Sequence, residues 1–346
     1  MKVVVGMSGG VDSSVAAILL KEQGYEVIGI TFAFTEDFDP TDAIKISKKL
    51  NIEHHIIDYK ELFKNKVINR FINDYKSGIT PNPCILCNRE VKFNFLYQQM
   101  LEFNCDYIAT GHYAKIIDGS LFKSRDLKKD QTYFLAQLTK EQLSRLILPL
   151  EGITKDEVRE IARKYDLELA DKKDSTDVCF ITTNFKEYIN NQLKNINGDV
   201  IDVKTGKKIG EHAGLTQYTI GQRKGLNLGG NAERIYVVGK NLNENILYVA
   251  SGDDNEYLIS TSAIIEQVNW TSDKKPIKCA AKFRYHQPDN EVELEYLEDG
   301  NILVKYSQGV KAVTPGQACV FYLGEECLGG GIIKEVQKDN KKLWYL

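Results

Sequence analysis

Three stretches of the chain carry side chains suited to chemistry. The first is Gly6-Met7-Ser8-Gly9-Gly10-Val11-Asp12-Ser13-Ser14. Gly9 and Gly10 let a backbone approach a phosphate closely. The amides of a following helix start, with the hydroxyls of Ser8, Ser13 and Ser14, are donors for phosphate oxygens. The bland alternative is a strand-to-helix turn with Asp12 as N-cap. Neither the Gly-Lys-Ser/Thr of a Walker A loop nor the Gly-x-Gly-x-x-Gly of a dinucleotide site is present. The second stretch is Thr80-Pro81-Asn82-Pro83-Cys84-Ile85-Leu86-Cys87-Asn88-Arg89, where two prolines stiffen the approach to a Cys-x-x-Cys pair. Such a pair reads as half a zinc site, a redox pair or two core thiols. No second pair exists, which weakens a four-cysteine zinc site. The third runs from Lys172 to Ile181 and places Cys179 after basic, acidic and hydroxyl residues, where cations would favour the reactive thiolate. Cys105, Cys279, Cys319 and Cys327 have bland surroundings and read as packing residues.

The elements that must position these groups are legible in outline. Residues 2–7 read as a buried strand, 12–23 as a helix, 26–32 as a strand, 41–50 as a helix and 53–57 as a strand, a β-α-β-α-β order that implies a parallel sheet covered by helices. Residues 106–110 read as a further strand, and 142–148 and 155–165 as helices. From about residue 197 glycine and β-formers take over. Short strands are expected at 234–239, 246–250, 277–284, 292–296, 302–306 and 318–322, the later ones suggesting a small β-barrel. The expected division is 1–196, 197–262 and 263–346.

Composition narrows the class. With 346 residues, 42% hydrophobic and 27% charged, the chain has enough apolar mass for real cores. A net charge of -3 excludes a strongly basic nucleic-acid binder, yet residues 184–240 hold nine Lys or Arg against five Asp or Glu. Lys207, Lys208, Arg223 and Lys224 are phosphate candidates there, and Tyr218 and Tyr285 are candidates to stack on bases. No apolar run approaches membrane-spanning length, and the start of the chain turns into the glycine loop too early for a signal peptide. A cytoplasmic location and reduced cysteines are expected.

Ser-Gly-Gly-x-Asp-Ser after a first strand resembles the pyrophosphate loop (PP-loop) of N-type ATP pyrophosphatases. With the segments at 78–93, 109–115, 129–135, 172–181, 214–226, 283–286 and 314–322, the chain resembles the tRNA-specific 2-thiouridylases, or tRNA-uridine 2-sulfurtransferases. The resemblance implies an N-terminal α/β PP-loop domain with a parallel sheet, a small central domain and a C-terminal β-barrel. It implies a transferase that uses ATP and Mg2+ to adenylate O2 of the wobble uridine of tRNAs for Lys, Glu and Gln. Sulfur then displaces AMP. A cysteine desulfurase, a sulfur-relay protein or sulfide would be the donor.

Carried over by position, the resemblance assigns ATP binding to Gly6, Met7, Ser8, Gly9, Gly10, Val11, Asp12, Ser13, Phe32 and Gly111. Cys87 matches the nucleophile and Cys179 the persulfide carrier. Asn82, Pro83 and Cys84 match the segment that meets the target base. Lys129, Asp130 and Gln131, and Arg284 with Tyr285, match tRNA-contacting segments. Taken singly, these last would be a solvated turn and a strand-edge pair. Many relatives carry Asp where this chain has Cys84. Three thiols at Cys84, Cys87 and Cys179 would also suit a [4Fe–4S] cluster with one open iron, which stands as an alternative to the persulfide relay. The segment after Phe32 is shorter than in many relatives. Another PP-loop enzyme acting on a small metabolite, and a non-catalytic tRNA binder, are the competing classes.

Overall fold

The computed structural model describes residues 1–172, 178–181, 184–193, 195–226, 228 and 233–346. Three consecutive valines start the fold. In β1 (Lys2–Gly6), Val4 faces one apolar core while Val3 and Val5 face another, so both sides of the strand are buried, as a helix-covered parallel sheet requires. α1 (Val11–Glu22), β2 (Glu26–Ala33), α2 (Thr41–Leu50) and β3 (Glu53–Asp58) follow in alternation. With β4 (Tyr107–Ala109) and β5 (Leu146–Ile147) they give a sheet of order β3-β2-β1-β4-β5, every pair parallel. The order turns outward in both directions from β1, so the loop after β1 lies where α/β sheets of this kind bind ligands.

Residues 142–148 do not form the expected helix. A capping box at Thr139 and Gln142 starts a short helix that ends at Ser144, and Leu146–Ile147 then pairs with β4. Between β3 and β4 lie α3 (Asn69–Lys76), α4 (Pro83–Cys87) and α5 (Phe93–Glu102), with a π-helical turn Asn88–Lys92 joining the last two. α6 (Lys155–Lys164) packs on α1 and carries a second capping box, Thr154 with Glu157.

The central region contains β6 (Gly198–Asp202), β7 (Lys208–His212), β8 (Ile235–Asn241) and β9 (Ile246–Ser251), ordered β8-β9-β6-β7. Six antiparallel strands then close a barrel: β10 (Ile259–Trp270), β11 (Lys278–Lys282), β12 (Asn290–Tyr296), β13 (Ile302–Lys311), β14 (Ala318–Leu323) and β15 (Glu326–Lys338). The ring runs β10-β13-β12-β11-β14-β15 and returns to β10. The barrel is joined firmly to the N-terminal domain. Ser120–Phe122 extends the sheet at β15, and Ala318, Val320, Tyr322 and Cys327 share a core with Phe93, Leu96 and Tyr133. No helix among the described residues is long and apolar enough to cross a membrane.

Candidate active site

The glycine loop joins β1 to α1 as expected, but its anchoring differs from an Asp N-cap. Gly10 is the extended N-cap of α1, without a side-chain cap. Gly9 has φ +75°, a backbone region that favours glycine. Ser13 and Ser14 donate their hydroxyls to the Gly10 carbonyl at 3.0 and 2.8 Å, and Ser8 Oγ lies 3.2 Å from Ser13 Oγ. Met7 and Val11 are buried and pin the loop at both ends. The Asp12 carboxylate turns aside to Lys155, whose Nζ donates at 2.6 and 2.8 Å, and to the Tyr113 hydroxyl at 2.7 Å. This pairing offsets a negative charge that would repel a polyphosphate at the helix start. Gly111 packs on the same turn: a β-carbon there would lie 2.6 Å from the Asp12 carbonyl carbon and 2.7 Å from the Ser13 nitrogen. Phe32 is core, its ring packed 5.6 Å from Phe34 and 5.4 Å from Tyr59, so its side chain is not free to meet a ligand.

The Cys-x-x-Cys pair sits on α4. Pro83 takes the first helical position, where its missing N–H costs nothing, and Asn82 caps the helix by accepting the Ile85 N–H at 3.4 Å. Cys84 is exposed and Cys87 is buried. The π-helical turn follows directly, held by Asn88 Nδ2 donating to the Phe134 carbonyl at 3.0 Å. Cys179 is an exposed turn residue close enough for its charge to act on both other thiols. Desolvation by the packed surroundings raises all three thiol pKa values, pushing Cys87 up to about 12, while the Lys92 cation pulls each back in part. The thiolate expected at Cys179 is therefore not favoured in this arrangement. The desolvation of Cys179 by neighbouring groups outweighs Lys92, and Lys172 spends its charge on Asp42 at 2.7 Å. Residues 173–177 of that motif lie outside the described residues. Desolvation, with help from Lys92, lowers the His112 pKa well below its ordinary value, leaving a neutral ring whose Nδ1 lies 2.8 Å from Thr110 Oγ1.

The expected tRNA-facing residues divide. Asp130 is buried, accepting from the Ser124 N–H and the Thr132 hydroxyl, and Gln131 Oε1 accepts the Tyr113 N–H at 2.9 Å. Lys129 lies beside them, its backbone N–H on the Asp126 carbonyl. Arg284 donates to the Ile220 carbonyl at 2.7 Å and to Thr314 Oγ1 at 2.8 Å, tying the central domain to the barrel, while Tyr285 packs 4.5 Å from the Phe134 ring. Of the basic candidates, Lys207, Arg223 and Lys224 are exposed, and Lys208 is shared between Asp199 and Glu211. Tyr218 is 4% exposed with Lys186 over its ring, so it cannot offer the stacking face expected of it. All seven cysteines are unbridged. Among the described residues no group of three His, Cys, Asp or Glu side chains stands assembled to hold a metal ion. Lys155, Tyr113 and Lys92 were not expected as site residues. Their signals lay in the motifs at 109–115 and 78–93 and in the capping-box start of α6, but spacing did not reveal them.

Family models match the three parts in turn: the tRNA methyl transferase HUP domain over residues 1–183, its PRC-barrel domain over 186–251, and the aminomethyltransferase beta-barrel domain over 260–333. A tRNA-specific 2-thiouridylase of Geobacillus kaustophilus (strain HTA426) is 47% identical over 363 residues, covering 100% of this chain and 98% of the relative. The chain belongs to the tRNA-specific 2-thiouridylase family. Further 2-thiouridylases from Geobacillus thermodenitrificans and Lysinibacillus sphaericus are 47% and 46% identical, each over 100% of this chain and 98% and 97% of the relative. Among solved structures, a 4-thiouridine synthetase–RNA complex with bound ATP has a TM-score of 0.37 at 19% identity, covering 56% of this chain and 50% of that one. An NMN synthetase from Francisella tularensis has a TM-score of 0.34 at 20% identity, covering 50% and 66%.

Proposed function

We propose that the protein is an ATP-dependent sulfurtransferase that forms 2-thiouridine at the wobble position of tRNAs for Lys, Glu and Gln. The observation that carries this reading is full-length kinship to 2-thiouridylases, in a chain that has the phosphate loop and cysteines at 87 and 179. Uridine O2 attacks the α-phosphorus of ATP, and pyrophosphate leaves. The turn from Gly9 to Ser13, neutralised by Lys155 at Asp12, holds the phosphates. Mg2+ bound to the nucleotide would offset phosphate charge, a role that needs few protein ligands.

Adenylation turns a poor leaving group into AMP. The terminal sulfur of a Cys179 persulfide attacks C2 and expels AMP. The Cys87 thiolate then attacks Cys179 Sγ, so the S–S bond to the transferred sulfur breaks, a Cys87–Cys179 disulfide forms, and 2-thiouridine is released. A thiol reductant must return the pair to thiols before the next cycle. The raised Cys87 pKa keeps that thiol protonated until this step, which protects the persulfide from premature release. Asn82 and Pro83 fix the α4 start at which the target base would arrive, and Cys84 lies exposed beside it. Lys129, Asp130, Gln131, Arg284 and Tyr285, which match tRNA-contacting segments by resemblance, are read as the parts of the molecule that meet or shape the tRNA-binding surface. The sulfur donor is a cysteine desulfurase or a relay protein, and the site of action is the cytoplasm.

The test is thiolation of unmodified tRNA by purified protein with MgATP and a persulfide donor. Formation of 2-thiouridine with one AMP per sulfur is expected. ATP consumption that depends on a small amide or acid metabolite but not on tRNA would overturn the reading.

A further inference from the structure

The face of α4 that turns away from Cys84 and Cys87 borders a cavity of about 360 Å³ between the N-terminal domain and the barrel. Pro83, Ile85 and Leu86 form one wall, and Asn82 stands at its edge, so the thiol site and the cavity share α4 as a partition. A helix is about 10 Å across with its side chains, the scale of two neighbouring nucleotides splayed apart. The cavity has a mixed character. Phe71 and Ile85 give apolar surface, Arg70, Arg89 and Lys334 bring positive charge, and Asp74 and Glu266 bring negative charge. The cations are only loosely held: Arg70 stands 3.8 Å from Glu90, Lys334 stands 3.9 Å from Glu266, and Arg89 gives one N–H to Gln137 Oε1 at 3.2 Å. Two carboxylates disfavour a bare polyanion, but they suit the N–H groups of a base edge while the cations take a single phosphate.

The barrel wall of the cavity is distorted at one residue. Between Glu266 and Asn269 the β10–β15 register slips, so Gln267 and Val268 oppose Gly331 alone. Gln267 has φ +51°, an uncommon conformation for a residue with a β-carbon. Its backbone carbonyl accepts from Gln137 Nε2 at 3.2 Å, while its exposed side-chain amide has no hydrogen bond among the described residues. Bulges of this kind re-aim side chains beside functional sites. An unpaired amide with both donor and acceptor is suited to reading a base edge.

We propose that this cavity receives a nucleotide flanking the target uridine and that Gln267 reads its base. The pocket would hold the anticodon loop open on both sides of α4, one base at the thiols and its neighbour against the barrel. This rests on the tRNA-thiolation reading above. The test uses full-length tRNA carrying an abasic residue at either neighbour of the target uridine, with wild-type protein and Gln267→Gly. Glycine accepts the left-handed backbone without strain, and a melting curve checks the fold. The pocket predicts that wild type loses about tenfold in kcat/KM on one of the two abasic tRNAs. Gln267→Gly loses about as much on intact tRNA and nothing further on that abasic tRNA. Indifference of wild type to both abasic sites, or losses that multiply in the variant, overturns the pocket while leaving thiolation standing. No thiolation of intact tRNA by wild type would instead fault the underlying reading.

Discussion

Replacing Gly111 by alanine is the sharpest probe of how the phosphate loop is seated. The added carbon would stand 2.6 Å from the Asp12 carbonyl carbon, 2.7 Å from the Ser13 nitrogen and 2.8 Å from the Asp12 oxygen. All three are backbone atoms in the first turn of α1, so no flexible tip can swing away. The first turn must retreat by roughly half an ångström or more, since packed interiors deform little. Overpacking of this kind costs about 1–3 kcal/mol of stability. The same displacement would lengthen amide–phosphate hydrogen bonds to bound ATP, and loss of one charge-assisted bond, about 1.5–3 kcal/mol, would weaken ATP binding roughly 10- to 150-fold. Gly152 is the matched control, because a β-carbon there meets nothing within 4 Å. Titration calorimetry with MgATP and urea denaturation measure both effects. An ATP Kd for Gly111→Ala within twofold of the Gly152→Ala value would refute the claim that Gly111 seats the loop.

Lys155→Met leaves the Asp12 carboxylate uncompensated at the phosphate site, so ATP affinity should fall about tenfold and stability by about 1–3 kcal/mol. Adding Asp12→Asn should restore part of both, and strictly additive losses would disprove the coupling. Because burial pushes Cys87 up to about 12, its thiolate fraction at neutral pH is small and grows with pH. In single-turnover assays with preloaded persulfide the sulfur-release rate should rise about tenfold per pH unit between roughly pH 7 and 9, and a flat profile contradicts this. Desolvation lowers Lys240, in β8, from 10.5 to about 8. The folded state thus binds this proton less tightly than the unfolded chain. The resulting penalty is complete below about pH 8 and is relieved as pH rises toward 10.5. Lys240→Met should therefore stabilise the protein at pH 7 by about 3 kcal/mol, with the advantage shrinking by pH 10. Equal gains at both pH values in urea melts would disprove the assignment.

Much of the N-terminal architecture is legible in the chain because local and tertiary preferences agree there. The helix expected at 41–50 is Thr41–Leu50, and the valines of β1 announce a strand buried on both faces. The longest barrel strand, β15, is hidden in the sequence for a physical reason. β15 contains Gly329, Gly330 and Gly331, residues of poor strand propensity, because neighbouring backbones leave no room for a β-carbon: 2.1 Å to the Asn269 oxygen, 2.5 Å to the Cys319 oxygen and 2.6 Å to the Glu266 oxygen. The glycine loop and the cysteine motifs declare themselves by spacing. The groups that tune them do not. Lys155 meets Asp12 across 143 positions, and Lys92 reaches Cys179 from a different element. Burial also reverses sequence-level expectations, as when Tyr218 turns inward or desolvation overrides the cations expected to activate Cys179.

In the persulfide relay proposed above, sulfur passes from Cys179 to C2 of the uridine and Cys87 then resolves the adduct as a disulfide with Cys179. A single turnover of persulfide-loaded protein with MgATP and tRNA, without reductant, followed by peptide mass spectrometry, tests it directly. One Cys87–Cys179 disulfide per 2-thiouridine formed is expected, with Cys87→Ser arrested as an adduct in which Cys179 Sγ is bonded to the sulfur on uridine C2. Full yield of 2-thiouridine from Cys179→Ser, or turnover that leaves both thiols reduced, would contradict it.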